Sequence, residues 1–219
     1  MTLNKKIYHL FTFLMICLIF ASCQDNSNKV SQDPINPQEP MSNKPNTDSL
    51  YNPEIDTNKV IPDFSFINQD GQTITQKDYT GKYQIADFFF TSCESICPMM
   101  NKNLASVYQK FKGNPKVKFA SFSIDPETDT KMVLKQYANS LKASAPQWNF
   151  LTGKKGHIYE LATSGYYAKV EKDTSDPQGV VHSGGLILVS PLGHVLKIYD
   201  GLSQESTQKL ISDLEEKLK

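Results

Sequence analysis

Tyr83-Gln-Ile-Ala-Asp-Phe-Phe-Phe90 runs straight into Thr91-Ser-Cys-Glu-Ser-Ile-Cys97-Pro98. The first segment is β-prone and nearly all apolar, the composition of a strand buried on both faces. Beyond Pro98, apolar residues recur at Met100, Leu104, Val107, Tyr108 and Phe111, the stripe of an amphipathic helix with proline in its first turn. Cys93 and Cys97 are therefore expected at a strand-to-helix junction. Unpaired amides and the macrodipole at a helix start favour negative charge, so at least one thiol should ionise more readily than a free cysteine. If the first turn begins at Cys93, the spacing also sets both sulfurs on one helix face.

Working outward, Phe64 to Ile67 and Gln72 to Thr75 flank Asn68-Gln-Asp-Gly71, a hairpin signal with Asp-Gly at the turn. Val117 to Ile124 reads as a second core strand and Thr128 to Leu141 as a helix with Val133, Leu134, Tyr137 and Leu141 inward. Trp148 to Leu151 is a short strand. Gly185 to Ser190 and Val195 to Tyr199 pair across Pro191-Leu-Gly-His194, and Ser203 to Leu218 closes as a helix with Leu210, Ile211 and Leu214 on one face. This alternation predicts an α/β thioredoxin-like sandwich with an N-terminal β-hairpin addition.

The start of the chain reads as an export signal over 1–22: Lys5 and Lys6, an apolar run from Ile7 to Phe20, then small residues before Cys23. The run is short of the roughly 20 residues a membrane-spanning helix needs, which makes a permanent span the weaker alternative. Phe20-Ala-Ser-Cys23 resembles a lipobox, with Phe20 where Leu is usual. That resemblance implies an acylated Cys23 and an extracytoplasmic, periplasm-facing protein lipid-anchored to a bacterial membrane. Simple cleavage to a soluble product is the other reading. Residues 23–59 are rich in Asn, Ser, Pro, Asp and Gln and read as a disordered linker, leaving 60–219 as one domain. Formal net charge is zero, so nothing in bulk charge attracts nucleic acid or an anionic surface.

With Cys17 inside the leader and Cys23 at the lipid site, Cys93 and Cys97 are the domain's only cysteines. A disulfide between them would close a trivially small loop and stabilise little by loop entropy. A pair held this close suits redox chemistry or a soft metal, copper(I) or zinc in preference to hard cations. Two sulfurs leave a metal under-coordinated. Of the four histidines, His9 lies in the leader, while His157 and His194 read as surface residues. His182, in Val180-Val-His-Ser-Gly-Gly185, precedes an apolar strand, and in a thioredoxin-like fold the loop before that strand faces the cysteine helix. It is either a hydrogen-bonded loop histidine or a third donor, and the cysteine pair expected opposite favours the donor. Asp125, followed by Pro126, either caps the next segment or accepts a hydrogen bond that orients His182 or tunes a thiolate. Met100 belongs to the apolar stripe, and Met99 is at best an accessory ligand.

Three segments now form a pattern. Phe90-Thr-Ser-Cys-Glu-Ser-Ile-Cys-Pro98, Ser123-Ile-Asp-Pro-Glu-Thr-Asp-Thr130 and Val181-His-Ser183 resemble, in order, the cysteine, acidic and histidine segments of the Sco/SenC family. Lys131 departs from the Pro often found there, which touches only a helix start. The resemblance spans about Ile61 to Gly201. It implies one copper ion, Cu(I) or Cu(II), held by Cys93, Cys97 and His182, and a role in building the copper centre of cytochrome oxidase. The partners it implies are the oxidase's copper subunit and a copper donor or thiol reductant protein. The rival function is an extracytoplasmic thiol-disulfide oxidoreductase using Cys93 and Cys97 as a redox pair. Dedicated reductases resembling thioredoxin use Cys-x2-Cys and place proline where this chain has Val181-His-Ser-Gly184. A peroxidase would need a cysteine in a Thr-x3-Cys setting, which a nearby Cys97 fits less well.

Overall fold

A computed structural model describes residues 54–172 and 180–219, the side chains of 171, 172 and 180–182 excepted. The leader, Cys23 and the linker as far as residue 53 lie outside the described residues. Among the described residues nine strands and four α-helices follow in order: β1 (Ser65–Asn68), β2 (Thr73–Thr75), β3 (Tyr83–Phe89), α1 (Cys97–Phe111), β4 (Val117–Ser123), α2 (Lys131–Ser140), β5 (Trp148–Thr152), α3 (Lys155–Glu160), β6 (Val170–Lys172), β7 (Val180–His182), β8 (Gly185–Val189), β9 (Val195–Asp200) and α4 (Gln204–Leu218). Seven strands form one sheet in the order β2-β1-β5-β4-β3-β8-β9, and β6 pairs with β7 apart from it.

β3, β4 and β5 run parallel, with Phe89 opposite Ser123 and Phe122 opposite Leu151. Their C-terminal ends therefore share one edge of the sheet, and α1 and α2 both begin at that edge. Each side of these strands is closed by aromatic packing. On one, Tyr137 of α2 stacks on Phe89 and meets Phe150 edge-on, while Tyr108 of α1 packs on Phe119 and Trp148. On the other, Phe88, Phe122 and Tyr166 meet, joined by Phe64 and Phe66. Burying each such ring contributes roughly 1.5–3 kcal/mol, which fixes the sheet on which the cysteine junction rests.

The hairpin turns where Asp-Gly predicts: Gly71 takes φ 80°, and the Asn68 side chain accepts from the Asp70 and Gln72 amides. α2 starts three residues later than its periodicity suggests. The Thr128 and Asp129 amides both turn back to the Asp125 carbonyl, so helix geometry waits for Thr130, whose side chain caps Val133. Within α2, Leu134 and Ala138 are fully buried, whereas Val133 and Tyr137 are only half-buried. Ordered contacts begin before Val60: Ile55 packs against the core and the Asp56 amide donates to Tyr167 Oη at 3.2 Å. The β6–β7 ribbon and a π-helical turn at Leu161–Gly165 have no counterpart in the sequence expectations. No helix among the described residues is long and apolar enough to cross a membrane.

Candidate metal centre

β3 ends at Phe89, and the chain turns so that the Cys93 amide donates to the Phe90 carbonyl at 3.3 Å. α1 begins at Cys97, not at Cys93. The sulfurs are thus not stacked along one helix face; the preceding turn brings them together instead. Ile96 occupies the N-cap position and offers no side-chain acceptor, and the first amide of the helix, that of Cys97, donates to Cys93 Sγ at 3.4 Å. Sulfur does the work a serine oxygen does at other helix starts, and a thiolate accepts such a bond more strongly than a thiol. Ser95 Oγ lies 3.6 Å from the same sulfur. Both cysteines are buried, Cys97 the more completely, and no disulfide joins them.

The helix start does not lower the Cys97 pKa. Its hydrogen bond with Cys93 and its burial push this thiol well above the ordinary cysteine range, with the charges of Cys93 and Asp87 adding to the effect. Polar groups cluster behind it. Asn101, one turn along α1, donates to Tyr137 Oη at 2.6 Å, and the buried Asn101 Oδ1 has no hydrogen-bond partner among the described residues. Burial first, then the charges of Cys97 and Asp87, raises the Tyr137 phenol. Asp87, on β3 and fully buried, accepts from Ser121 Oγ at 2.5 Å, and Ser121 accepts from Trp148 Nε1 at 2.9 Å.

His182 is the last residue of β7, opposite Val170, and so ends a strand where a loop was expected. Its side chain lies outside the described residues. The backbone continues with the Ser183 amide donating to the Lys169 carbonyl at 2.9 Å, then enters β8, whose Ile187 faces Ala86 of antiparallel β3. The start of β8 therefore lies at the edge where β3 leaves for the cysteines. Among the described residues no three His, Cys, Asp or Glu side chains gather as metal ligands. His157 is exposed beside a cavity of about 810 Å³ lined also by Phe66, Lys154 and Glu160, and the half-buried His194 ring lies 3.2 Å from the Lys59 carbonyl. Neither joins the cysteines in these contacts.

The acidic segment touches the cysteine turn through Asp129, four residues beyond Asp125. Asp125 is half-buried, and its backbone amide donates to Ser123 Oγ at 3.2 Å. Asp129 is fully buried and accepts from the Thr91 amide at 3.1 Å, from the Thr91 hydroxyl, and from Ser123 Oγ at 2.6 Å. The available signal was the neighbouring Thr130: once it is taken as the helix cap, Asp129 sits outside the helix with its side chain free to bind elsewhere.

The SCO1/SenC family pattern matches residues 52–219, which takes in the whole sheet and the cysteine turn. The chain belongs to the SCO1/SenC family. A SCO1 protein homolog of Bacillus subtilis is 38% identical over 159 residues, covering 72% of this chain and 82% of that relative. The crystal structure of a SCO1/SenC family lipoprotein from Bacillus anthracis superposes with a TM-score of 0.65 at 32% identity, covering 72% of this chain and 94% of that one. Arabidopsis thaliana ScoI, solved with copper bound, superposes with a TM-score of 0.59 at 30% identity, over 72% and 99% of the two chains. These SCO1/SenC structures bear out the thioredoxin-like fold expected from the order of elements.

Proposed function

We propose that this chain is a membrane-tethered, extracytoplasmic copper carrier. It holds one copper ion through Cys93, Cys97 and His182, and delivers it to the copper centre of a respiratory cytochrome oxidase or keeps that centre's thiols reduced. The observation that carries the reading is the sulfur-capped helix start: the Cys97 amide on Cys93 Sγ gathers both sulfurs at the sheet edge to which β8 returns from His182. Two soft sulfurs and an imidazole suit copper, and three protein donors leave a coordination position open for a partner. Kinship with a B. subtilis Sco described as a cytochrome c oxidase assembly protein, and with Sco proteins solved with copper, supports the same assignment. Tethering through Cys23 agrees with the lipoprotein relative from B. anthracis. Asp125 is assigned to orienting His182 or tuning a thiolate.

Delivery and pure thiol reduction separate at His182. Disulfide exchange requires a thiolate, an accessible disulfide and a leaving thiol, all supplied by Cys93 and Cys97. Copper retention also requires the imidazole. His182→Ala is expected to keep much of any disulfide-exchange activity in vitro, yet to fail to restore oxidase activity at limiting copper in a cell lacking the parent copy. Normal oxidase activity in that cell would reject delivery in favour of a reductase.

A further inference from the structure

We infer that Asp129 is the positioning residue of the copper site, a buried carboxylate that clamps the Cys93 turn to the end of β4 in the geometry that receives copper. The inference rests on the copper-carrier reading. Asp129 lies in the segment between β4 and α2, with no exposed surface. A buried carboxylate is costly unless its oxygens are fully engaged, so its partners indicate what it is for. Those partners come from the end of β4 and from the turn that follows β3. Ser123, the last residue of β4, donates its hydroxyl at 2.6 Å, and Thr91, two residues before Cys93, donates both its hydroxyl and its amide.

The helix that follows does not need this carboxylate, because α2 is capped by Thr130 accepting from Val133 at 3.4 Å. The segment itself is closed by the Thr128 and Asp129 amides on the Asp125 carbonyl, at 3.1 and 2.9 Å. What the side chain adds is a fixed position for Thr91, and through the turn closed by the Cys93 amide on Phe90, a fixed position for Cys93 relative to Cys97 at the start of α1. Metal affinity depends on donors being held before the ion arrives, and a loosened donor of three weakens it without unfolding the protein. The clamp also opposes the displacement of Cys93 that a disulfide with Cys97 requires, a step in which two electrons and two protons pass to glutathione disulfide and yield two reduced glutathiones.

The test compares four variants of the purified chain: Asp129→Asn, Thr91→Val, Thr91→Ser and Gln147→Ala. Thr91→Val keeps shape and removes the hydroxyl donor. Thr91→Ser restores it. Gln147→Ala removes side-chain bonds to the Phe111 and Asn114 carbonyls, at the end of α1 away from the cysteines, and serves as the stability control. Copper affinity is measured by competition with a chelator of known affinity, alongside melting temperature and the Cys93–Cys97 disulfide equilibrium in a glutathione buffer. Asp129→Asn and Thr91→Val are expected to lose at least about tenfold in copper affinity and to shift several-fold toward the disulfide, with Thr91→Ser close to the parent. Gln147→Ala is expected to melt lower with less than about threefold change in affinity. Affinity losses that simply follow the melting temperature across all four would make Asp129 a structural tie and overturn the inference. If Asp129→Asn does not fold, the Thr91→Val and Thr91→Ser pair decides. If the parent binds no copper, the carrier reading fails, and the disulfide equilibrium alone tests the clamp: no difference between the two Thr91 variants rejects it.

Discussion

Cys97 keeps its proton in the folded chain because three influences act together on one sulfur: a hydrogen bond with Cys93, nearly complete burial, and negative charge nearby at Cys93 and on Asp87. Copper binds thiolate, so loading must displace that proton. Protons compete with the metal wherever the thiol is still protonated; a free cysteine is so through neutral pH up to about 8.5, and the raised pKa of Cys97 carries that range higher. Apparent copper affinity should therefore rise with pH between about 6 and 8, by up to about tenfold per unit for each proton released. A chelator competition series across those pH values reads the slope directly. A flat profile would mean that Cys97 gives up no proton to copper and is not a ligand in its thiolate form.

Among the elements, the contact that ties the histidine side of the site to the cysteine helix runs through Gly201, just after β9. Its amide donates to the Gly184 carbonyl at 2.8 Å, and its own carbonyl accepts from Asn103 of α1 at 2.8 Å. A methyl group there would sit 2.5 Å from the Gly184 oxygen and 2.8 Å from Met100 Cγ. Backbone must move to admit it. Gly201→Ala is expected to cost about 1–3 kcal/mol of stability and to weaken copper binding, since it pushes the segment following His182 away from α1. Gly156→Ala, where a Cβ meets nothing within 4 Å, is the control and should leave both unchanged. Denaturant unfolding and copper titration of the two variants check this; equal behaviour would dissociate Gly201 from the site. The same elements show what sequence can and cannot convey. β3, α1 and β4 are legible because period and burial agree, as in Met100, Leu104, Val107 and Phe111, all buried as the stripe predicts. The start of α2 is not, because the Asp125 carbonyl captures two amides that periodicity assigns to a helix. The start of α1 agrees with Pro98 in the first turn, while the condition for stacking both sulfurs on one helix face does not hold, because Cys93 lies before the helix and its sulfur accepts the Cys97 amide.

At the scale of the whole molecule, the cysteine turn and the segment that follows His182 meet only through topology. Cys97 and His182 stand 85 residues apart, and the antiparallel return of β8 along β3 brings the start of β8 to the sheet edge where the cysteine turn begins. The candidate donors were legible one by one because Cys, His and their flanking strands carry local signals. Asp129, Asn101 and Tyr137 were not, since each acts through a contact with a distant element, at 38 residues for Thr91 and 36 for the Asn101 bond to Tyr137. A three-donor copper site is tested most directly by copper counted per chain together with X-ray absorption of the loaded protein. Reduced chain is expected to bind one copper with two sulfurs and one imidazole nitrogen around it, fully oxidised chain to load none, and His182→Ala to lose the nitrogen and most of the affinity. One copper held as tightly by His182→Ala, or equal uptake by the oxidised chain, would contradict it.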